Sequence, residues 1–328
     1  MDLKEELVSL LEESGEAYVS GSEIGNKIGI TRSGVWKIIK CLQEDGYDIE
    51  AVPNRGYRLS PDNDMISEAG IRKYLGSYND IFQLDVREKV TSTNTLLKAR
   101  ADSLPTWSAM VAMSQTAGRG RTGHTFYSPS QSGVYISLLL RPDVPAEESV
   151  RITTAAAVAE CKAIETCCGS SPAIKWINDV FLNGKKICGI LTEASLNMET
   201  RALDWAVLGI GMNVYEPENG FPEEIREIAG PIETKKTGNL RNRLTAEFLK
   251  NMYDLCRDLR NTGYVEEYRK RSFLIGQRIA VLRPGHPVPA TAVDVDDECR
   301  LLVRYDDGSE ESLSSGEVSV RKISEAKT

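Results

Sequence analysis

Gln115–Pro129 reads QTAGRGRTGHTFYSP, a loop that gathers small residues around two arginines. Ala117, Gly118, Gly120 and Gly123 add little bulk, so backbone N–H groups and the guanidinium forks of Arg119 and Arg121 can converge on one anion. That is phosphate chemistry. The 40 residues from Ser103 to Pro142 hold no Asp or Glu, where the chain's 48 acids in 328 residues would place about 6. A carboxylate-free window in an acidic protein keeps a site electropositive for a negative ligand. Gly118, Gly120 and Gly123 formally satisfy G-x-G-x-x-G, but Ser128-Pro129-Ser130 stops any long helix before the strand-like Val134–Leu140. The dinucleotide fingerprint needs that helix, and the loop also lacks the Gly-Lys-Ser/Thr ending of a P-loop. The bland alternative is an arginine-bearing surface loop without a ligand.

A chain of 328 residues with 41% hydrophobic content can bury a large core and divides into two or three domains. No apolar run reaches membrane-spanning length, and the acidic start MDLKEE is the opposite of a secretory leader, so a cytoplasmic location is expected. Seven cysteines, no C-x-x-C and two histidines argue against a structural zinc or a disulfide framework. A net charge of −8 excludes a general nucleic-acid coat, so any DNA contact must be local.

Such a local contact is legible at the start of the chain. Leu3, Leu7, Leu10 and Leu11 recur at helical spacing, a second helix is expected over Ser22–Ile28, and Gly29 breaks the chain before a third helix from Thr31. The third helix puts Val35, Ile38, Ile39 and Leu42 on one side and Arg32, Ser33, Trp36, Lys37 and Lys40 on the other. Residues 24–43 carry four basic groups and no acid, within a segment 1–60 that holds 7 basic and 11 acidic groups. Positive charge is thus concentrated where a recognition helix needs it. Two short extended pieces, Tyr47–Val52 and Gly56–Leu59, flank Pro53-Asn54-Arg55 and read as a wing, from which Arg55 and Arg58 can reach phosphates. The alternative is a three-helix adaptor with solvated lysines. Pro61-Asp62-Asn63-Asp64 reads as a linker.

In the middle of the chain, a strand over residues 81–86 leads into Thr91-Ser92-Thr93-Asn94 and a short helix. Those hydroxyl and amide groups either cap the helix or meet a polar ligand. A strand from Ser108 to Ser114 feeds the arginine loop, and an Ala-rich helix over about 146–168 is patterned to pack on a sheet. Ile174–Glu193, IKWINDVFLNGKKICGILTE, carries Asn183-Gly184 between apolar runs, the strongest short hairpin signal. A two-residue turn there pairs Leu182 with Lys185 and Phe181 with Lys186, putting Asp179, Phe181 and Lys186 on one face. Lys186 then reads as a second anion contact, and the Trp205–Asn213 strand, WAVLGIGMN, ends in glycines that permit close approach of a ligand. Near the C-terminus, Arg278–Arg283, Val288–Asp294 and Arg300–Tyr305 read as strands separated by Pro284-Gly285, Asp296-Asp297 and Asp307-Gly308 turns, a small β-barrel of the SH3-like kind.

Taken in order, the winged helix ending in NRGYRL, then STN, GRGRTGHTFYSP, KWIND, KKICGIL, GIGMN and SGEVSVR, the chain resembles the bifunctional biotin–protein ligase and biotin operon repressor family over its whole length. The resemblance implies an α+β protein of three units: a winged helix-turn-helix over 1–63, a class II synthetase-like mixed-sheet ligase domain over 64–274, and an SH3-like barrel over 275–328. It implies biotin contacts from Ser92, Thr93, Asn94, Gln115, Arg119, Gly120, Arg121 and Lys186. It also implies ATP or adenylate contacts from Arg121, Phe126, Asn178, Asp179, Lys186 and Asn213, with Lys186, Arg119, Arg121 and Asp179 catalytic and Mg²⁺ near Asp179. Operator DNA would meet Arg32, Ser33, Trp36, Lys37, Lys40 and Arg55, a biotin carboxyl carrier protein would be the acceptor, and the liganded protein would form a homodimer. Two departures stand out: Ile177 replaces the family's usual proline, and Phe126 stands where many members carry tryptophan. A lipoate or octanoate ligase, or a ligand-sensing repressor without ligase activity, is the alternative.

Overall fold

The computed structural model describes residues 2–197, 199, 202–283, 286–314 and 319–322. The expected Pro284-Gly285 turn and the first four residues of the SGEVSVR element, Ser315 to Val318, lie outside the described residues.

Three helices, α1 (Leu3–Ser14), α2 (Gly21–Ile28) and α3 (Arg32–Glu44), are followed by the ribbon of β1 (Ile49–Val52) and β2 (Gly56–Leu59). Hydroxyls start two of them: Ser20 Oγ accepts from Glu23 N–H and Thr31 Oγ1 from Gly34 N–H, satisfying donors that the first helical turn leaves free. Gly29, at φ 73°, ends α2 in the left-handed conformation and lets the chain turn sharply into α3. Leu7, Leu11, Ile24, Val35, Ile39 and Leu42 make a core separate from that of the remaining chain.

The segment expected to be a linker is instead a buried strap. Asn63 is 1% and Asp64 8% exposed. Asp64 accepts from the backbone N–H and the Nε of Arg241 at 2.9 and 2.8 Å, while Arg241 Nη2 donates to the Asp64 carbonyl and Nη1 to that of Gly133. A charge pair this dry persists only when its remaining hydrogen-bonding groups are satisfied, as they are here.

Beyond the strap come α4 (Glu68–Leu75), β3 (Gln83–Val90), α5 (Thr93–Lys98), β4 (Ser108–Gln115), β5 (Gly133–Leu140) and α6 (Val150–Cys168). The hairpin strands β6 (Ala173–Lys175), β7 (Asp179–Leu182), β8 (Lys185–Leu196) and β9 (Leu203–Asn213) follow, then α7 (Leu240–Cys256) and α8 (Tyr264–Arg271). The seven strands form one sheet in the order β3-β4-β5-β9-β8-β7-β6, parallel at β3–β4 and antiparallel elsewhere, a mixed sheet. Alternation along β5 and β9 divides the faces. Ile136, Leu138, Leu208 and Ile210 join the main core with α6 and α7, whereas Leu139 and Val207 pack with Leu97 beneath α5.

The C-terminal part adds β10 (Arg278–Arg283), β11 (His286–Val295), β12 (Leu301–Tyr305), β13 (Glu310–Leu313) and β14 (Ser319–Lys322), ordered β13-β12-β11-β10-β14 and antiparallel throughout. The last two strands were not foreseen. Ile279, Val281, Leu301 and Val303 merge into the main core, and Trp176 Nε1 donates to the Cys299 carbonyl at 2.9 Å. The C-terminal sheet therefore buttresses the KWIND segment, whose Trp176–Ile177 peptide is cis. All seven cysteines are free, and no helix among the described residues is long and apolar enough to cross a membrane.

Glu160, on α6, is 0% exposed, and neither of its carboxyl oxygens has a hydrogen-bond partner among the described residues. Burial pushes its pKa from 4.5 up to about 8, so the folded protein holds it protonated at neutral pH. Below about pH 4.5 both folded and unfolded states bind this proton; from there to about 8 only the folded state does, so stability falls as pH rises and levels off above. Glu160→Gln, which cannot ionise, should flatten this fall. Urea midpoints at about pH 5 and pH 8 should converge in the variant, with a wild-type slope on the order of 1 kcal/mol per pH unit; equal slopes in both proteins would place the pH dependence elsewhere.

Candidate functional site

A cavity of about 280 Å³ opens on the α5 side of the sheet. Its floor is glycine. Gly189 on β8 and Gly211 on β9 are direct register partners, and a Cβ on either would come within 2.8 Å or 2.3 Å of the Phe126 ring. A Cβ at Gly209 would lie 2.2 Å from Asn94 Oδ1. The close approach that these glycines permit is thus, first of all, by the protein's own Phe126 and Asn94.

At one end the wall is polar and nearly dry. Ser92, Thr93 and Asn94 are 2–4% exposed at the start of α5. Ser92 serves both expectations, since its Oγ caps α5 by accepting from Thr95 N–H while the residue lines the cavity. Thr93 donates through N–H and Oγ1 to Gln115 Oε1 at 2.9 and 3.1 Å, and Gln115 Nε2 donates to Ser128 Oγ at 3.0 Å. Ser137 Oγ, from β5, donates to Asn94 Oδ1 at 2.5 Å and lies 2.8 Å from Thr93 Oγ1. Such a closed network fixes which way each amide points.

The other end is ionic. The Asn183-Gly184 turn gives the expected pairs Phe181↔Lys186 and Leu182↔Lys185, and an irregularity before Phe181 then sets Val180 opposite Cys188. Lys186 Nζ lies 2.6 Å from Asp179 Oδ1, an oxygen that is buried and makes no aligned hydrogen bond among the described residues. Asn213 does not line the cavity: its Nδ2 donates to the Lys186 carbonyl at 3.4 Å, supporting the lysine from behind.

Between the two ends runs the arginine loop. Gly120 N–H donates to the His124 carbonyl at 2.7 Å and Phe126 N–H to the Gly118 carbonyl at 2.9 Å, making a tight excursion with Thr122 at φ 50°. Arg121 Nη1 donates to Asn178 Oδ1 at 3.0 Å, and Asn178 Nδ2 to the Ile190 carbonyl at 2.9 Å. Arg119 Nη1 lies 3.2 Å from Glu193 Oε1. Gly120 lines the cavity with both arginines. The structure therefore brings together every expected small-molecule residue except Asn213. Sequence reading missed Ser137 and Glu193, isolated polar positions in strands with no local motif to mark them.

On the N-terminal unit, Arg32, Ser33, Trp36, Lys37, Lys40 and Arg55 are all exposed, with Trp36 at 53% a large apolar side chain left in solvent. Arg58 corrects its expectation: its guanidinium is forked onto Glu50 across the ribbon, so Arg55, stacked 4.2 Å over the Tyr18 ring, is the wing cation left facing outward.

A winged helix joined to a sheet-floored cavity lined by lysine and two arginines defines a protein that both meets DNA and handles an anionic small molecule. Comparison with known proteins agrees. Residues 4–58 match the HTH domain model, 86–213 the biotin/lipoate A/B protein ligase family, and 274–321 the biotin protein ligase C-terminal domain. The chain is 32% identical to the bifunctional ligase/repressor BirA of Bacillus subtilis, over 95% of this chain and 97% of that protein. It is 27% identical to the BirA of Escherichia coli, over 96% of each. A biotin protein ligase from Aquifex aeolicus, solved with biotin and ATP, shares the fold at TM-score 0.61 and 24% identity, covering 74% of this chain and 99% of that one. The chain belongs to the bifunctional biotin ligase/repressor family.

The glycine floor has a direct test. Gly211→Ala forces Phe126 off its seat and should cost about 1–3 kcal/mol, the usual penalty of overpacking. In a Phe126→Ala background the same substitution should cost much less, because the clashing ring is gone. Urea midpoints of the four proteins measure this; equal costs in both backgrounds would show that the ring is not what the glycine accommodates.

Proposed function

We propose that this protein makes biotinyl-5′-AMP from biotin and ATP, transfers the biotin to a lysine of a biotin carboxyl carrier protein, and represses biotin synthesis and uptake genes through its winged helix. The observation that carries the reading is one cavity with a neutral polar end, an aromatic over bare backbone, and three cations from two separate segments. Thr93, Asn94 and Gln115 hold the head group of biotin, Phe126 stacks on adenine, and Lys186, Arg119 and Arg121 gather the biotin carboxylate against the α-phosphate. The carboxylate oxygen attacks α-phosphorus as pyrophosphate leaves; the carrier's amine then attacks the acyl carbon and AMP leaves with its electron pair. No covalent nucleophile on the enzyme is needed, because both steps are positioning plus charge neutralisation.

Mg²⁺ would neutralise phosphate charge during this transfer. Asp179, whose Oδ1 is buried beside Lys186 Nζ, is the carboxylate that would hold it, one carboxylate beside phosphates being ordinary magnesium chemistry. The finer architecture belongs to the same proposal: a class II synthetase-like ligase domain over 64–274, flanked by units at 1–63 and an SH3-like barrel over 275–328, in a cytoplasmic protein that dimerises when liganded.

Lys186→Met should cost about 10² to 10³ in the rate of adenylate formation with an unchanged fold. Incorporation of labelled biotin against labelled lipoate, followed with wild type and variant, decides the activity. Lipoate preference would move the assignment to a lipoate ligase, and no adenylate with either acid would leave a repressor alone. For the second function, binding to the protein's own biotin-operon promoter should appear with biotin and MgATP together, as a salt-dependent dimer–DNA complex, and not with biotin alone. Equal binding in every condition would remove the switch.

A further inference from the structure

The arginine loop has no acid of its own, so its counter-charge must come from elsewhere, and at Arg119 it comes from one residue of β8. Glu193 Oε1 accepts from Arg119 Nη1 at 3.2 Å and from Lys98 Nζ at 3.2 Å, while its Oε2 accepts from Asn94 Nδ2 at 3.3 Å. The Glu193 side chain is 15% exposed, against 48% for Arg119 and 46% for Lys98. It does not line the cavity, yet it holds two residues that do, one from α5 and one from the loop.

We propose that Glu193 is the positioning residue of the biotin end of the site, anchoring Arg119 and fixing the amide of Asn94; this rests on the ligase reading given above. Only Nη1 of Arg119 is engaged by the carboxylate, so the rest of the planar fork stays free to aim at a ligand. Asn94 is more tightly constrained: its Nδ2 donates to Glu193 and the Leu191 carbonyl, which turns Oδ1 toward Ser137. Without the carboxylate the amide loses one of the three partners that set its orientation, and Arg119 loses its tie to the sheet. Biotin binding and loop closure should then suffer most, while the phosphoryl step, to which Lys186 and Arg121 still bring their charge, suffers less. Lys98, the one of these three partners that does not line the cavity, only shares the charge.

The test pairs a ligand-free readout with a kinetic one. In Glu193→Gln, tryptic cleavage after Arg119 and Arg121, followed by mass spectrometry on the full-length protein, should speed up about tenfold, the scale of one lost charged hydrogen bond. The KM for biotin should rise about tenfold, with the KM for ATP and kcat within about threefold. Glu193→Gln should add nothing further in an Arg119→Met background where cleavage is followed at Arg121, and Lys98→Met should leave the KM for biotin unchanged. Glu193→Asp, which keeps the charge, should recover part of the loss and guards against a misfolded Gln variant. Unchanged cleavage, or faster cleavage with an unchanged KM for biotin, overturns the proposal. If wild type forms no biotinyl adenylate, the ligase reading falls, and the assignment to biotin with it, whereas the tryptic experiment still decides whether Glu193 latches the loop.

Discussion

Everything in the cavity depends on side chains that are missing from the middle of the sheet. Gly189 faces Gly211 across β8 and β9, and Gly209 faces Ser137 across β9 and β5. Glycine within a strand is normally a weakness, since it adds backbone entropy and packs nothing. Here both faces of the problem are handled by position. β5, β9 and β8 are interior strands paired on each side, and beneath them lie fully buried Ile136, Leu208 and the helices α6 and α7. A sheet held so firmly from below can afford a bare upper surface, and that surface seats Phe126 and Asn94 within contact of the backbone.

Charge is arranged on the same frame. The acid-free window from Ser103 to Pro142 reads as a site kept open for an anion, yet in the structure neither loop arginine is left without a partner. Arg119 leans on Glu193 of β8 and Arg121 on the amide of Asn178, just ahead of β7. The two partners differ in kind. A carboxylate offsets charge, whereas a neutral amide orients a guanidinium and leaves its full charge available. Arg121 therefore stands beside Asn178 with its full charge, while Arg119 and Lys186 are each paired with a carboxylate, Glu193 and Asp179. The polarity of the cavity, from hydrogen-bonded neutral groups to half-buried cations, follows from which segment supplies each counter-group.

How far the sequence revealed this depends on the range of the interactions. The Asn183-Gly184 hairpin and the Thr31 cap are set by neighbouring residues, and both register and helix start follow from local chemistry. The glycines of the WAVLGIGMN strand signalled close approach without saying what approaches, because Phe126 arrives from 85 residues earlier in the chain than Gly211. Glu193 and Ser137 acquire their meaning only from Arg119, Thr93 and Asn94, which no spacing rule connects to them. Glu310–Leu313 and Ser319–Lys322 were missed as strands because short, polar-rich edge segments carry almost no alternation. Pro61–Asp64 misled for the opposite reason: its composition is that of a linker, and the arginine that buries it lies 177 positions away.

That buried strap constrains how a DNA-binding unit can respond to a ligand in the cavity. A solvated tether would let the winged helix tumble freely, and ordering such a tether would be the simplest switch. Asn63 and Asp64 instead sit in the interior, tied to the start of α7 through Asn239 N–H and Arg241, and the next residues, Met65 and Ser67, are held by the amide of Asn242. Lys73 of α4 reaches Glu12 of α1 at 3.1 Å and adds a second point of attachment. Opening this junction means exposing a charge pair and its hydrogen bonds, far costlier than moving a glycine-rich loop at the surface. The same Arg241 also donates to Gly133, the partner of Asn213, whose amide supports Lys186. Contiguity of this sort is not in itself coupling. Its mechanical meaning is that strap, sheet and winged helix form a connected body, so a ligand that orders the loop acts most economically on what the loop meets outside the protomer. The dimer proposed above would satisfy that demand, a second copy bringing two winged helices to a fixed spacing without any hinge at residues 61–64.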